Sequence, residues 1–408
     1  DYILKQTAIP LESKSVVCVE DARAQLTAGT SVILIDGVAR GLVLSTQSMQ
    51  FRSVQEPSGE GNVRGSREGF TEPLRVNISL MRRLIRSGEL MVETMTVGEH
   101  TKTEIALLYN TQLVPKQMLS TVKRRLESVK LPFLFDTGYL AAFLQKSRFS
   151  FFQSVGYTER PDTAAAQVLE GNIVILVDNS PSVLILPTSV FDVAEEADDF
   201  YFPPITGTYL RLSRLLIALL TYFLTPTFLL LMRYPQWVPE SFSFILIRDE
   251  IHVPLIWQFL ILELAIDGLR LAAVNTPSML STPLSVMAAL VLGEFAVNSG
   301  WFNSEVMLYM AFVALAGYTQ SSYELGYALK FMRIANLILT AAFGIWGYAG
   351  GLLLCALCLI GNRTISGQSY LYPLIPFDAK QLKNRFFRTR LPGSLSPAGT
   401  GEKGEKNT

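Results

Sequence analysis

Residues 215–232 run for 18 positions without a charged side chain, and no other feature constrains the fold as strongly. As a helix this run is about 27 Å long, enough to cross the hydrocarbon core of a bilayer. Further apolar runs follow at 254–274, 284–298, 306–318 and 334–360. The runs 284–298 and 306–318 are short, so one of them fits a re-entrant segment buried in protein. The last run contains Gly344, Gly347, Gly350 and Gly351, and reads as one tilted helix or as a hairpin broken near 347–351. Pro226 is expected to kink the first span. Segment 242–247 is too short to span and fits the interface. These runs explain the composition: 49% apolar and only 17% charged, against roughly 25% charged in soluble domains. A wholly soluble enzyme is excluded.

Charge and rare residues narrow the function classes. Lys plus Arg is 35 and Asp plus Glu is 35, so the strong basic excess of an open nucleic-acid binder is missing. Three cysteines and two histidines, Cys18, Cys355, Cys358, His100 and His252, offer no four-ligand zinc spacing. Cys355 and Cys358 form a C-x-x-C inside an apolar run, where small membrane-helix residues explain them better than a redox pair. No nucleophile–base pair or metal motif points to an enzyme, and no cofactor is expected. No secretory signal opens the chain at Asp1, so its start is expected to be a processed end or a fragment.

Orientation follows from arginine and lysine. Arg211 and Arg214 precede the first span, and Arg363, Lys380, Lys383, Arg385, Arg388 and Arg390 follow the last. Positive residues favour the cytoplasmic side, so both ends are expected there, with four or six crossings between them.

The first half alternates strands and helices. SVILIDGVARGLVL (31–44) and NIVILVDNSPSVLIL (172–186) each read as strand, turn, strand, with Asp36-Gly37 and Asp178-Asn179 at the turns. Each follows a helical stretch, which predicts an internal repeat and two related α/β subdomains. Residues 103–109 read as a strand, and Val114, Met118, Val122 and Leu126 have helical spacing. Glu72-Pro73 starts an amphipathic helix with Leu74, Ile78, Met81 and Ile85 on one face and Arg75, Arg82 and Arg86 on another. The arginine face is either simply solvated or meets acids of a neighbouring subunit, or anionic lipid. Glycines at 59–69 lack the G-x-x-x-x-G-K-[ST] context of a phosphate loop.

Charges inside the spans are the sharpest functional signal, because a charge at the bilayer centre costs on the order of 3 kcal/mol. Glu263, Asp267 and Arg270 lie at i, i+4 and i+7 on one helical face. They form either a structural network, with Arg270 neutralising Asp267, or a functional one. Glu294, beside Gly293, has no adjacent cation and is the candidate for a pore-facing carboxylate.

VRGSREGFTEPLRVNISLMRRLIR (63–86), TKTEIALLY (101–109), YTERPD (157–162) and LEGNIVILVDNSPSVLILP (169–187) resemble the A-subunit family of bacterial spore germinant receptors. NTPSMLSTPLSVMAALVLGEFAV, SSYELGYALKFMRI and YLYPLIPFD point to one branch of that family. The ends depart from the family pattern. The resemblance implies a multi-pass protein of the spore inner membrane whose soluble part faces the spore core. It also implies a homo-oligomeric ion channel that promotes germination beside receptor subunits, a small accessory membrane protein or the dipicolinate-release machinery. A non-conducting scaffold that recruits those proteins is the competing expectation. The expected fold class is an α/β soluble region of two related subdomains (1–50 and 51–208), then an all-α polytopic membrane domain (209–362) and a basic tail (363–408).

Overall fold

A computed structural model describes residues 13–27, 31–44, 57, 60, 64–145, 151–196, 198–275, 295–320 and 322–387. Strand β1 (Ser13–Val16), helix α1 (Val19–Thr27) and strands β2 (Ser31–Ile33) and β3 (Gly41–Leu44) form a three-stranded antiparallel sheet of order β1-β3-β2. Gly37, in the β2–β3 turn, has φ +77°, a conformation open to glycine at no steric cost.

A second sheet follows. Its elements are α2 (Leu74–Leu84), β4 (Leu90–Val97), β5 (Thr103–Asn110), α3 (Lys116–Glu127), α4 (Thr137–Leu144), β6 (Gly156–Thr158), α5 (Pro161–Leu169), β7 (Ile173–Val177) and β8 (Val183–Leu186). The strands pair antiparallel in the order β4-β5-β7-β8-β6. The helix–strand–turn–strand unit thus occurs twice, as α1-β2-β3 and as α5-β7-β8. The two differ in cover: β2 leaves Ser31 and Ile33 exposed, while every residue of β7 and β8 is buried. Helices α2 and α5 pack Met81 and Val168 on one face, against Ala106 and Val174. Helices α3 and α4 pack Val122 and Leu140 on the other, against Leu107 and Ile175. Strand side chains alternate between faces, so a sheet covered on both sides reads as an unbroken apolar run.

Local chemistry sets the ends of α2. Asp178, in the β7–β8 turn, accepts from the Leu74 backbone N–H at 3.0 Å, and neighbouring Asn179 takes φ +67°. The buried face is Leu74, Asn77, Leu80 and Met81. Asn77 can lie inside because its amide accepts from Thr71 N–H (2.8 Å) and donates to Thr71 C=O (2.5 Å). The helix ends at Leu84, so Ile85 and Arg86 lie beyond it and not on the expected helical faces.

Short helices α6 (Val190–Val193) and α7 (Asp198–Tyr201) lead to a helical part: α8 (Pro204–Arg233), α9 (Leu255–Asn275), α10 (Ser304–Gly317), α11 (Tyr323–Phe343) and α12 (Ile345–Gly361). Among the described residues, α8 and α11 are long and apolar enough to cross a membrane, and α10 and α12 are apolar but shorter. Helix α8 runs unbroken through Pro226. The last apolar run is a hairpin, broken at Gly344 and not near 347–351. Gly344 has φ +63°, and a Cβ on Gly347 would sit 1.8 Å from the Leu339 carbonyl oxygen.

Side-chain contacts give each helix a direction. Helix α8 starts against the α/β part, α11 starts where Gln153 donates to Ser322 (3.2 Å), and α12 ends where Asn362 donates to the Phe152 carbonyl (3.1 Å). At the opposite, far end, Arg233 donates to the Ala341 carbonyl at 2.8 Å. Helices α9 and α10 both start there, where Gln258 and Asn303 exchange hydrogen bonds of 2.8 and 2.9 Å. Both finish near the start of α11, where Arg270 stacks over Tyr318 and Tyr327. The chain is therefore at the near end at Asn275 and back at the far end by Asn303. All four tryptophans, Trp237, Trp257, Trp301 and Trp346, are exposed at the far end.

After α12 the chain returns to the α/β part. Ile365 joins the sheet core, the Tyr370 carbonyl accepts from Val190 N–H (3.1 Å), and helix α13 (Ala379–Phe386) lies against α8.

Candidate functional site

Helices α8, α9 and α11 enclose a charge network. Glu263 on α9 and Arg333 on α11 are 4% and 3% exposed. Arg333 Nε donates to Glu263 Oε1 at 3.0 Å, and its Nη1 donates to the Thr221 carbonyl on α8 at 3.2 Å. Pro226 supplies no N–H to the neighbouring Tyr222 carbonyl, so this turn of α8 is short of an internal donor where the guanidinium arrives. Lys330, one turn before Arg333, lies 3.4 Å from Glu263 Oε2 and bonds the Asp267 carboxylate. Two acids and two bases sum to zero, the arrangement buried charges require.

A neutral polar line continues from it. Asn336 donates to Tyr222 Oη (3.4 Å), Tyr222 donates to the Gly351 carbonyl (3.1 Å), and Thr340 donates to Asn336 (3.3 Å). The Thr225 hydroxyl on α8 is fully buried and has no hydrogen-bond partner among the described residues. Such a line carries hydroxyl and amide groups through an otherwise apolar bundle.

A second cluster ties α8 to the α/β part. Arg211 and Arg214, expected to precede the first span on the cytoplasmic side, are 3% and 8% exposed and are paired with acids of the protein. Arg214 donates to Asp199 at 3.2 Å and to Glu196 at 2.6 Å, and Arg211 lies 3.2 Å from Glu195. Arg385 on α13 lies 2.6 Å from Asp192 and 3.2 Å from Glu195, and its carbonyl accepts from Arg211 at 2.7 Å. Burial works against the Arg385 charge, but Asp192 and Glu195 outweigh it and raise its pKa. Burial pushes the Glu196 carboxyl up, with Arg214 opposing. These arginines join α8 and α13 to the α/β part.

The expected site residues separate accordingly. Glu263 and Asp267 share one network, but its cations are Lys330 and Arg333. Arg270 does not neutralise Asp267; it sits 5.2 and 5.5 Å over the Tyr318 and Tyr327 rings, a cation–π position. Its place three residues beyond Asp267 carries it past the acids toward the helix ends. Gly293 and Glu294 lie outside the described residues. Arg75 and Arg86 are exposed, Arg82 is half-buried, and among the described residues none of the three pairs with a carboxylate. Arg83, between them, pairs with Glu68 instead.

Residues 2–396 match the family model described as Bacillus/Clostridium GerA spore germination protein. The chain belongs to the GerA family. Stage V sporulation protein AF of Bacillus subtilis (strain 168), the branch the second-half motifs single out, is 33% identical over 96% of this chain and 80% of that protein. Spore germination protein KA of the same organism is 31% identical over 90% of this chain and 68% of that protein. Spore germination protein GerLA of Bacillus cereus is 28% identical over 91% and 75%. The crystal structure of the N-terminal domain of the A subunit of the Bacillus megaterium spore germinant receptor GerK3 matches 43% of this chain and 62% of that one, at 26% identity and a TM-score of 0.32.

In this GerA-family chain the motifs have structural roles. In YTERPD, Arg160 is buried and grips Asp162 through Nε (3.1 Å) and Nη2 (2.5 Å), and Tyr201 donates to the same carboxylate. Lys330 and Arg333 escape a search for apolar runs because 334–360 is read as starting after them. Their i, i+3 spacing on one helix, matching Glu263 and Asp267 at i, i+4 on another, is the signal that finds them.

Proposed function

We propose that this protein acts in spore germination as a multi-pass membrane subunit of a homo-oligomeric ion channel, working beside other spore membrane proteins. The observation that supports an ion path is the network of Glu263, Asp267, Lys330 and Arg333, buried at its Glu263–Arg333 pair and continued by Tyr222, Asn336 and Thr340 through apolar helices. Six crossings fit the alternating helix directions, with the chain changing ends between Asn275 and Asn303. Exposed tryptophans at the far end fit an interfacial belt. By family resemblance the α/β part faces the spore core and the membrane is the inner one. In this reading Glu294 and Gly293 belong to the pore, and Arg75, Arg82 and Arg86 meet a neighbouring subunit or anionic headgroups.

Reconstitution in planar bilayers tests it. The parent should pass monovalent cations, and Glu294→Gln should lower conductance or change selectivity with assembly unaltered. A parent that assembles and never conducts refutes the channel. One observation favours a scaffold: Phe133, Phe135 and Tyr139 form an exposed aromatic group on the α/β part, with centroids 5.1 to 6.3 Å apart. That group could dock a partner without any pore.

A further inference from the structure

After α8 the chain makes two 3-10 turns, Pro235–Trp237 and Glu240–Ile245, and none of their residues is buried. The second turn is nevertheless held in a fixed orientation. Ile245 and Ile247 pack onto the bundle core that contains Phe259 and Leu262. With those two turned inward, Phe242 and Phe244 face out, 53% and 65% exposed, their ring centroids 6.2 Å apart. Large apolar rings exposed side by side on a fixed backbone mark a surface that another phase covers.

The surroundings identify that phase. Trp237 stacks on Tyr234 at 4.7 Å, and Trp257, Trp301 and Trp346 are exposed at the same end of the bundle. Indole and phenol rings collect where acyl chains meet headgroups. Glu240 and Arg248 flank the two phenylalanines, placing charge at headgroup level beside apolar rings. Six residues of 3-10 helix are about 12 Å long, far short of a crossing, so the segment lies in the plane of the membrane.

We infer that Glu240–Ile245 is a wedge whose Phe242 and Phe244 rings seat among the lipids of the far leaflet. This rests on the membrane reading above. The test uses the full chain in phosphatidylcholine–phosphatidylglycerol vesicles whose acyl chains carry bromine close to the headgroup or deep in the bilayer. Phe242→Trp and Phe244→Trp add one reporter each with little change in shape. The added emission should be quenched about twofold more by shallow bromine than by deep bromine. If the parent's tryptophans are quenched and the added one is not, the segment faces water or protein and the wedge is wrong. If the parent's tryptophans also escape quenching, the membrane reading falls and the wedge falls with it.

Discussion

Replacing Arg333 by methionine keeps most of the side-chain stem and removes the guanidinium. Glu263 then loses the two N–H bonds to its Oε1 and retains Lys330 at 3.4 Å from Oε2, a cation already shared with Asp267. The network changes from neutral to one net negative charge, with Glu263 only 4% exposed. Breaking a buried pair by removing one partner costs about 3–5 kcal/mol, and partial takeover by Lys330 places this case near the lower figure. Removing both members, as Arg333→Met with Glu263→Met, leaves the neutral Asp267–Lys330 pair and apolar packing, so most of the loss should return. The expected coupling between the two sites is about 2–3 kcal/mol. Unfolding titrations in mixed micelles on the parent, both single variants and the double variant measure it. If the double variant loses the sum of the two single losses, the pair is not coupled and the electrostatic reasoning is wrong.

At the joint, Asp199 is fully buried between two arginines while the Glu196 side chain is 41% exposed, so Asp199→Asn should cost about 3–5 kcal/mol and Glu196→Gln about 1 kcal/mol or less in the same assay. Asp136 caps α4 through Thr137 N–H (2.7 Å), and although burial pushes its carboxyl up, bonds from Ser180 and Thr137 win and hold it below the usual range. Asp136→Ala should cost about 1 kcal/mol at neutral pH. A depressed carboxyl stabilises above its unfolded pKa of about 3.9 and loses that contribution as pH falls through the folded value, so parent and variant should converge in acid. In the α11–α12 hairpin, a Cβ on Gly351 would meet Asn336 Oδ1 at 2.2 Å whereas Gly350 has nothing within 4 Å. Gly351→Ala should therefore lower thermal stability sharply, and Gly350→Ala should be neutral or gain up to about 1 kcal/mol from helix propensity.

Much of the α/β part is legible from periodicity because its elements are short, regular and closed by turn residues. Met118, Val122 and Leu126 form the buried face of α3, Val114 is buried just before it, and residues 103–109 form β5, extended by Asn110. The helical part is legible as apolar length but not as pairing. Glu263 and Asp267 stand out as acids in an apolar run, yet the cations that answer them lie more than 60 residues away on the charged first turns of α11. Adjacent Arg270 is therefore the tempting partner and the wrong one. Arg211 and Arg214 read as membrane flanks because their acids, Glu195, Glu196 and Asp199, precede them by more than three helical turns and meet them only after α6 and α7 fold back.

The return of residues 362–386 makes the helical bundle an insertion within the α/β unit, in the order of the gene. Ile365 completes the sheet core, and Tyr370, fully buried, packs with Phe152, Val193, Met332 and Tyr222. On the ribosome the α/β part is made first, but its contacts with Ile365, Tyr370 and Arg385 form only after the helical part is made and the chain is back where it began. In the multi-pass reading proposed above, a nascent chain that inserts one helix too few or too many would deliver Ile365, Tyr370 and Arg385 to the wrong side of the bilayer. The sheet core then lacks Ile365, and Asp192 and Glu195 lack Arg385, which leaves Glu195 with Arg211 alone among the described residues. On that reading, correct membrane insertion is written into the packing of the α/β part, and a protease on that side could survey it.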